Sequence, residues 1–283
     1  MANQSDDQTQ IESPAERLLA AIGKLNKPTA KRAHLFRTSL RRFQAWTAVF
    51  HPAADTEHKQ ALRYLDKLRK ATGKLRDCEV HLDLLKQLEE DAGKETRKLE
   101  QELKSRRKSY RKKLTNLLGD DLLKETSRSL RRIDTAPRTP ASIAEERNGE
   151  VMIRLALDEY RAFVQNRPPL SPENLHEYRL ACKRFRYTAE LAGESQASRL
   201  IDTWKTVQDV TGEWHDYLTL AELAKEICGD GRLHTLLVER RDSSYNDSTK
   251  AIEQAEKLVQ EASLAPPRKA PGTARPGRRM RVA

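Results

Sequence analysis

Apolar residues recur at steps of three and four along most of this 283-residue chain, which is the spacing of one helix face. Phe36, Leu40, Phe43, Trp46 and Phe50 make one such stripe, which stops at His51-Pro52. Tyr178, Cys182, Phe185 and Ala189 make another. Alternating β-type runs between turn signals are missing, so the pattern predicts an all-α fold.

The stripes and their punctuation predict an order of elements. Residues 1–13 are polar and expected to be disordered. A short helix opens at Pro14 after Ser13, a cap followed by a proline at the first helical position. A second helix follows Thr29 and carries the Phe36–Phe50 stripe. Residues 55–90 read as one or two long helices, interrupted by Gly73, with Leu65, Leu68, Leu75 and Leu88 among the core candidates. Residues 93–118 form a long basic helix on a Leu99, Leu103, Tyr110, Leu114, Leu117 stripe. Another helix spans 120–133. Residues 134–142 look like a linker. A helix over 143–165 follows, and Ser171-Pro172 is expected to cap and start the next one. Helices near 198–227 and 232–262 complete the fold, and residues 263–283 read as a disordered basic tail. The domain is thus 14–262, with halves 14–133 and 143–262.

The polar side of the pattern is what sets this chain apart. His34, Arg37, Arg41, Arg42 and Phe43 recur as His176, Arg179, Lys183, Arg184 and Phe185, each at an offset of 142. In both copies the histidine and the cations lie on the helix side opposite the apolar stripe, with Arg186 joining them in the second. Gly73, Arg76 and Asp77 recur as Gly212, His215 and Asp216, at an offset of 139. A repeat this long is not a solenoid; it indicates two related halves. The motif faces hold almost no acid to neutralise them along the helix. Two such faces repel themselves, so an anion is expected to offset the charge.

Composition sharpens this. Charged residues make up 34% and aromatics 5%, a helix-rich mixture. The net charge is +11, but six of the cations lie after Glu261 with no acid beside them. Any basic site in the folded part therefore depends on clustering. Three scattered cysteines, Cys78, Cys182 and Cys228, argue for a reducing compartment rather than a disulfide framework. The opening residues show no signal-peptide pattern and no apolar run approaches membrane-spanning length. A cytoplasmic protein is expected.

The duplicated H-x-x-R-x-x-x-[RK]-R, with G-x-x-R-D and G-x-x-H-D downstream, resembles the CHAD family, the conserved-histidine α-helical domain, over about residues 14–262. The resemblance implies two similar helical bundles related by pseudo-twofold symmetry. It implies binding of inorganic polyphosphate in a basic groove or pore, and association with polyphosphate granules. By position it implicates His34, Arg37, Arg41 and Arg42 in the first half and His176, Arg179, Lys183, Arg184 and Arg186 in the second. Lys183 for Arg41 and His215 for Arg76 depart from a strict repeat. From the basic run 104–113, Lys108 and Arg111 are expected to face the same groove.

Each motif also has an ordinary structural reading. His34 and His176 can satisfy local hydrogen bonds, and Arg76-Asp77 can pair within a helix junction. Glu100-Gln101-Glu102-Leu103-Lys104 matches the E-x-E-x-K of triphosphatases, but that motif works on a strand and here falls on a helix. Cys78-Glu79-Val80-His81 lacks a second pair of zinc ligands. No cofactor, metal or catalytic residue is expected. The competing reading is a nucleic-acid-binding basic helical protein, which shares the phosphate chemistry. Against it, the basic faces lack aromatics for stacking and have few Asn or Gln for base readout.

Overall fold

The computed structural model describes residues 12–52, 54–88, 93–119, 121–137 and 149–264, and these contain helices and no strand. The expected disordered segments 1–13 and 263–283 and the expected linker 134–142 lie mostly outside the described residues; where they are described, Ser13 caps a helix and helices reach Thr135 and Leu264.

Helix α1 (Pro14–Gly23) begins as its sequence dictates. Ser13 accepts from the Glu16 N–H, while Glu16 accepts from the Ser13 N–H, a complete capping box. A turn of 3₁₀ helix (Lys24–Asn26) leads to α2 (Ala30–Phe50), capped by Thr29. All five residues of the α2 stripe are buried. After a short turn (Ala54–Glu57) come α3 (Lys59–Gln87), α4 (Lys94–Leu118) and α5 (Leu122–Thr135). The second half holds α6 (Gly149–Asn166), α7 (Leu175–Glu190), α8 (Glu194–Cys228) and α9 (Arg232–Leu264).

Two expectations change. Gly73 does not break the second long helix: α3 runs through it, and Gly212 sits equally inside α8. Nor does Ser171 cap α7. Residues 171–174 form a turn in which the Ser171 N–H donates to Asn174 Oδ1, and the helix starts at Leu175. The Ser171 carbonyl meanwhile accepts from the N–H groups of Asn174 and Leu175.

Helix α2 packs on α1 and α3, α7 packs on α6 and α8, and α2 and α7 touch one another. Two apolar clusters result, and each draws on both halves of the chain. The larger joins Phe36, Leu40 and Phe43 of α2 to Tyr178 and Phe185 of α7, and takes in Leu75 of α3 and Trp214 of α8. The smaller joins Leu82 and Leu85 of α3 and Leu99 and Leu103 of α4 to Leu220, Ala224 and Leu237 of α8 and α9. Residues 76–77 and 215–216 thus fall on α3 and α8 where one cluster gives way to the other.

One contact fastens the halves from outside. The Glu95 carboxylate, on α4, accepts from the Leu233 N–H at 2.8 Å, in the first turn of α9. It also fills the space where any side chain at Gly231 would lie. It serves as an N-cap supplied by another helix. Glu95→Ala should lower stability by about 1–2 kcal/mol, the usual worth of a helix cap, read as a shifted chemical-denaturation midpoint. Glu95→Gln, which keeps the acceptor, should recover most of the loss.

Candidate functional site

The polar faces of α2 and α7 turn towards one another and close around a cavity of about 440 Å³. His34, Arg37 and Arg41 line it from α2, and Arg179, Lys183 and Arg186 from α7. Arg76 enters from α3; Lys205, Gln208, Asp209, Gly212, Glu213 and Asp216 come from α8. Seven Arg and Lys side chains therefore face three carboxylates, which leaves a surplus of positive charge. Among the described residues, Arg186 alone of these cations forms an ion pair, to Glu190 outside the cavity.

Backbone geometry explains how such bulky cations are held. The Arg37 Nη1 donates to the Arg69 carbonyl at 3.0 Å, and its guanidinium lies against Gly73, one turn further along α3. A Cβ at Gly73 would sit 2.6 Å from that nitrogen. The second half repeats the approach: a Cβ at Gly212 would meet Arg179 Nη2 at 3.1 Å. The preceding threonine is buried in both copies, and its hydroxyl donates within its own helix, Thr72 to Leu68 and Thr211 to Val207. The glycines are therefore docking flats for arginine rather than breaks. A mid-helix glycine costs about 1 kcal/mol against alanine, whereas a hydrogen bond made by a charged group contributes about 1.5–3.

Burial and crowding weaken the charge of these groups. Loss of water lowers the Arg37 pKa to about 10, with Arg41, Arg76 and Arg69 adding repulsion and Asp77 opposing it. Arg41 and Arg179 are lowered for the same leading reason. Lys183 falls furthest, to about 6, through burial and then through Arg179, Arg41, Arg37 and Arg76. His34 is lowered by burial, Arg76, Arg37 and Arg186. Asp216 is raised by burial against the pull of Arg76 and Arg179.

The two motif copies have diverged at their ends. His34 reaches the cavity; His176 instead packs on His215, ring centroids 4.8 Å apart, and both leave Nδ1 buried without a hydrogen bond. Arg42 lies outside the cavity and pairs with Glu190 at 2.7 Å. Arg184 turns to Glu159 at 3.7 Å and to the Phe185 ring.

The basic run of α4 does not join the cavity. Arg111 approaches Glu79 at 3.4 Å, and Lys108 is exposed away from the lining. Glu100 pairs with Lys104 and Glu102 with Arg106, one turn apart, so the E-x-E-x-K match serves the surface of a helix. Arg76 and Asp77 form no ion pair with each other, since neighbours on a helix point about 100° apart. His81 Nε2 lies 3.1 Å from Thr219 Oγ1 and ties α3 to α8.

Sequence reading missed Lys205, Gln208, Asp209 and Glu213. A signal for them existed: they extend the Gly212–Asp216 face back along α8 at helical spacing.

The sequence model of the CHAD domain matches residues 15–225. The chain belongs to the CHAD family. The match ends within α8, and α9 of this CHAD protein packs back along that helix. Among solved structures, PptA from Streptomyces chartreusis is similar in fold, with a TM-score of 0.64 at 18% identity, over 86% of this chain and 95% of that one. No curated protein matches the chain.

Two outcomes follow from the geometry. Gly73→Ala should lower the melting temperature modestly, because about 1 kcal/mol of gained helix propensity offsets only part of the roughly 1.5–3 lost with the displaced arginine; anion binding should weaken about tenfold as Arg37 is pushed off its carbonyl. Gly212→Ala, with the looser contact, should do less in the same titration. Lys183 gives a pH signature. Its folded pKa of about 6 lies below the ordinary 10.5, so between those values the unfolded chain holds more protons than the native one. Stability should rise with pH through that window, with the full penalty present below about pH 6. Melts of Lys183→Met against wild type should show this slope removed.

Proposed function

We propose that this chain binds inorganic polyphosphate in the cavity between α2 and α7, without hydrolysing it. The observation that carries the reading is the set of cavity cations that, among the described residues, form no ion pair: Arg37, Arg41, Arg76, Arg179, Lys183 and Lys205. They converge from four helices on one space. Arg37, Arg41, Arg179 and Lys183 are half-buried and close enough to repel one another, and a multivalent anion removes that repulsion.

The ligand chemistry is narrow. A polyphosphate strand carries about one negative charge on each internal phosphate and is thin enough for a cleft. Arginine forks bridge two phosphate oxygens, and lysine adds a point charge. Duplex nucleic acid is too wide for a cavity of about 440 Å³ and would meet the exposed Asp209 and Glu213 at its edge. The paired approach of Arg37 to Gly73 and Arg179 to Gly212 supports an internal duplication with pseudo-twofold symmetry about the cavity. Among the described residues no helix is long and apolar enough to cross a membrane. A cytoplasmic protein associated with polyphosphate granules is the setting that suits this ligand.

Phosphate also restores the charge of Lys183. An anion beside it raises its pKa from about 6, so binding at pH 7–8 takes up protons, and affinity falls as pH rises. Titration calorimetry in buffers of different ionisation enthalpy should report an uptake that Lys183→Met removes.

Affinity should follow placement rather than net charge. Arg37→Ala with Arg179→Ala should weaken polyphosphate binding at least a hundredfold, at about 1.5–3 kcal/mol per group. Arg106→Ala with Lys113→Ala removes the same charge from α4 and should cost less than about tenfold. Equal losses at matched ionic strength would defeat the reading. So would ready displacement of polyphosphate by duplex DNA or RNA at equal phosphate concentration. Phosphate release with magnesium or manganese would overturn the non-catalytic part.

A further inference from the structure

A second cavity, of about 370 Å³, lies against the first. Arg17 of α1, Ser39 and Arg42 of α2, and Tyr187 and Glu190 of α7 line it. Tyr187 lines both cavities and so forms the wall between them. The Arg186 guanidinium, which belongs to the main cavity, lies 4.6 Å from the centre of the Tyr187 ring.

Glu190 stands at this wall. One carboxylate oxygen accepts from Arg42 Nε at 2.7 Å, and the other lies 3.3 Å from Arg186 Nε. A single carboxylate, with its side chain 11% exposed, thus bridges a cation of the first cavity and a cation of the second. Arg17 is exposed, and its guanidinium has no ion-pair partner among the described residues. The second cavity therefore holds two guanidiniums and one acid, and that acid is already shared between two arginines.

We propose that this second cavity is a further phosphate site, which takes the continuation of a long polyphosphate chain past Tyr187 once Glu190 yields its place between Arg42 and Arg186. This rests on the reading of the main cavity given above. The chemistry is an exchange of like for like. Each internal phosphate offers the same two-oxygen edge as a carboxylate, and a chain brings several in succession, so one can take Arg42 and Arg186 while the next reaches Arg17. A ligand short enough to fill only the main cavity leaves Glu190 where it is. The arrangement selects for chain length: long chains gain Arg42 and Arg17, and short ones do not. It also gives Arg42 a role, although its motif position does not bring it into the main cavity.

The test compares tripolyphosphate with long-chain polyphosphate by titration calorimetry, on wild type, Arg17→Ala and Glu190→Gln, at matched ionic strength. Arg17→Ala should leave tripolyphosphate affinity within about twofold and weaken long-chain binding about fivefold, the scale of one surface charge. Glu190→Gln removes the competing anion and should raise long-chain affinity about tenfold, with a much smaller gain for tripolyphosphate. Either variant changing both ligands by the same factor would overturn the second site while leaving the main one intact. Failure of the wild type to bind either ligand would defeat the reading of the main cavity and this one with it. Should Glu190→Gln fail to fold in a circular dichroism melt, Arg17→Ala, at an exposed position, decides the question alone.

Discussion

Two guanidinium groups pressed against helix backbone are the constraint on which the rest of this protein depends. Arg37 and Arg179 reach across to α3 and α8 at the only residue type that lets a cation lie flat on a helix. Among the described residues neither forms an ion pair, although Asp77 acts on Arg37 and Asp216 on Arg179 electrostatically. The apolar faces beneath supply the compensation. Each fully buried side chain of the α2 and α7 stripes contributes about 1.5–3 kcal/mol. Burial of Phe36, Leu40, Phe43, Tyr178 and Phe185 holds the two charged faces together against their own repulsion. The site is crowded with like charge and yet well packed mechanically.

The same residue types behave differently a few ångströms away. The lysines and arginines of α4 outnumber those of α2, yet several are matched by acids one turn back or on a neighbouring helix. Such exposed pairs are worth less than about 1 kcal/mol each and leave little field to attract a ligand. What distinguishes the cavity is the excess of seven Arg and Lys side chains over three carboxylates, combined with partial burial, which preserves the potential of the cations against screening.

The two copies of the motif keep what the fold requires and vary what it does not. The arginine-on-glycine contact and the threonine before each glycine are retained. The basic residue one turn further is arginine in one half and lysine in the other. That choice matters, because a guanidinium holds its proton far more tightly than an amine, and burial beside four arginines pulls the Lys183 pKa down to about 6.

Periodicity alone determined much of this protein. The stripes at Phe36–Phe50 and Tyr178–Ala189 set two amphipathic helices, because a side chain returns to the same face every three or four residues whatever surrounds it. The repeated His, Arg and Gly-x-x-basic-Asp spacing likewise marked Arg37, Arg41, Arg179, Lys183 and Arg186, which now line one cavity. Tertiary structure decided the rest. Gly73 looks like a helix stop, because a glycine is entropically costly there; only the arriving Arg37 side chain, 36 residues earlier in sequence, shows why it stays helical. Arg42 and Arg184 carry the motif's second basic position, but Glu190 and Glu159 take them away from the cavity. Lys108 and Arg111 are as basic as any residue in the chain, yet α4 packs with them turned elsewhere. Local spacing fixes which residues share a face of one helix. Which faces meet, and which cations find an acid when they do, is set by the packing of helices distant in sequence.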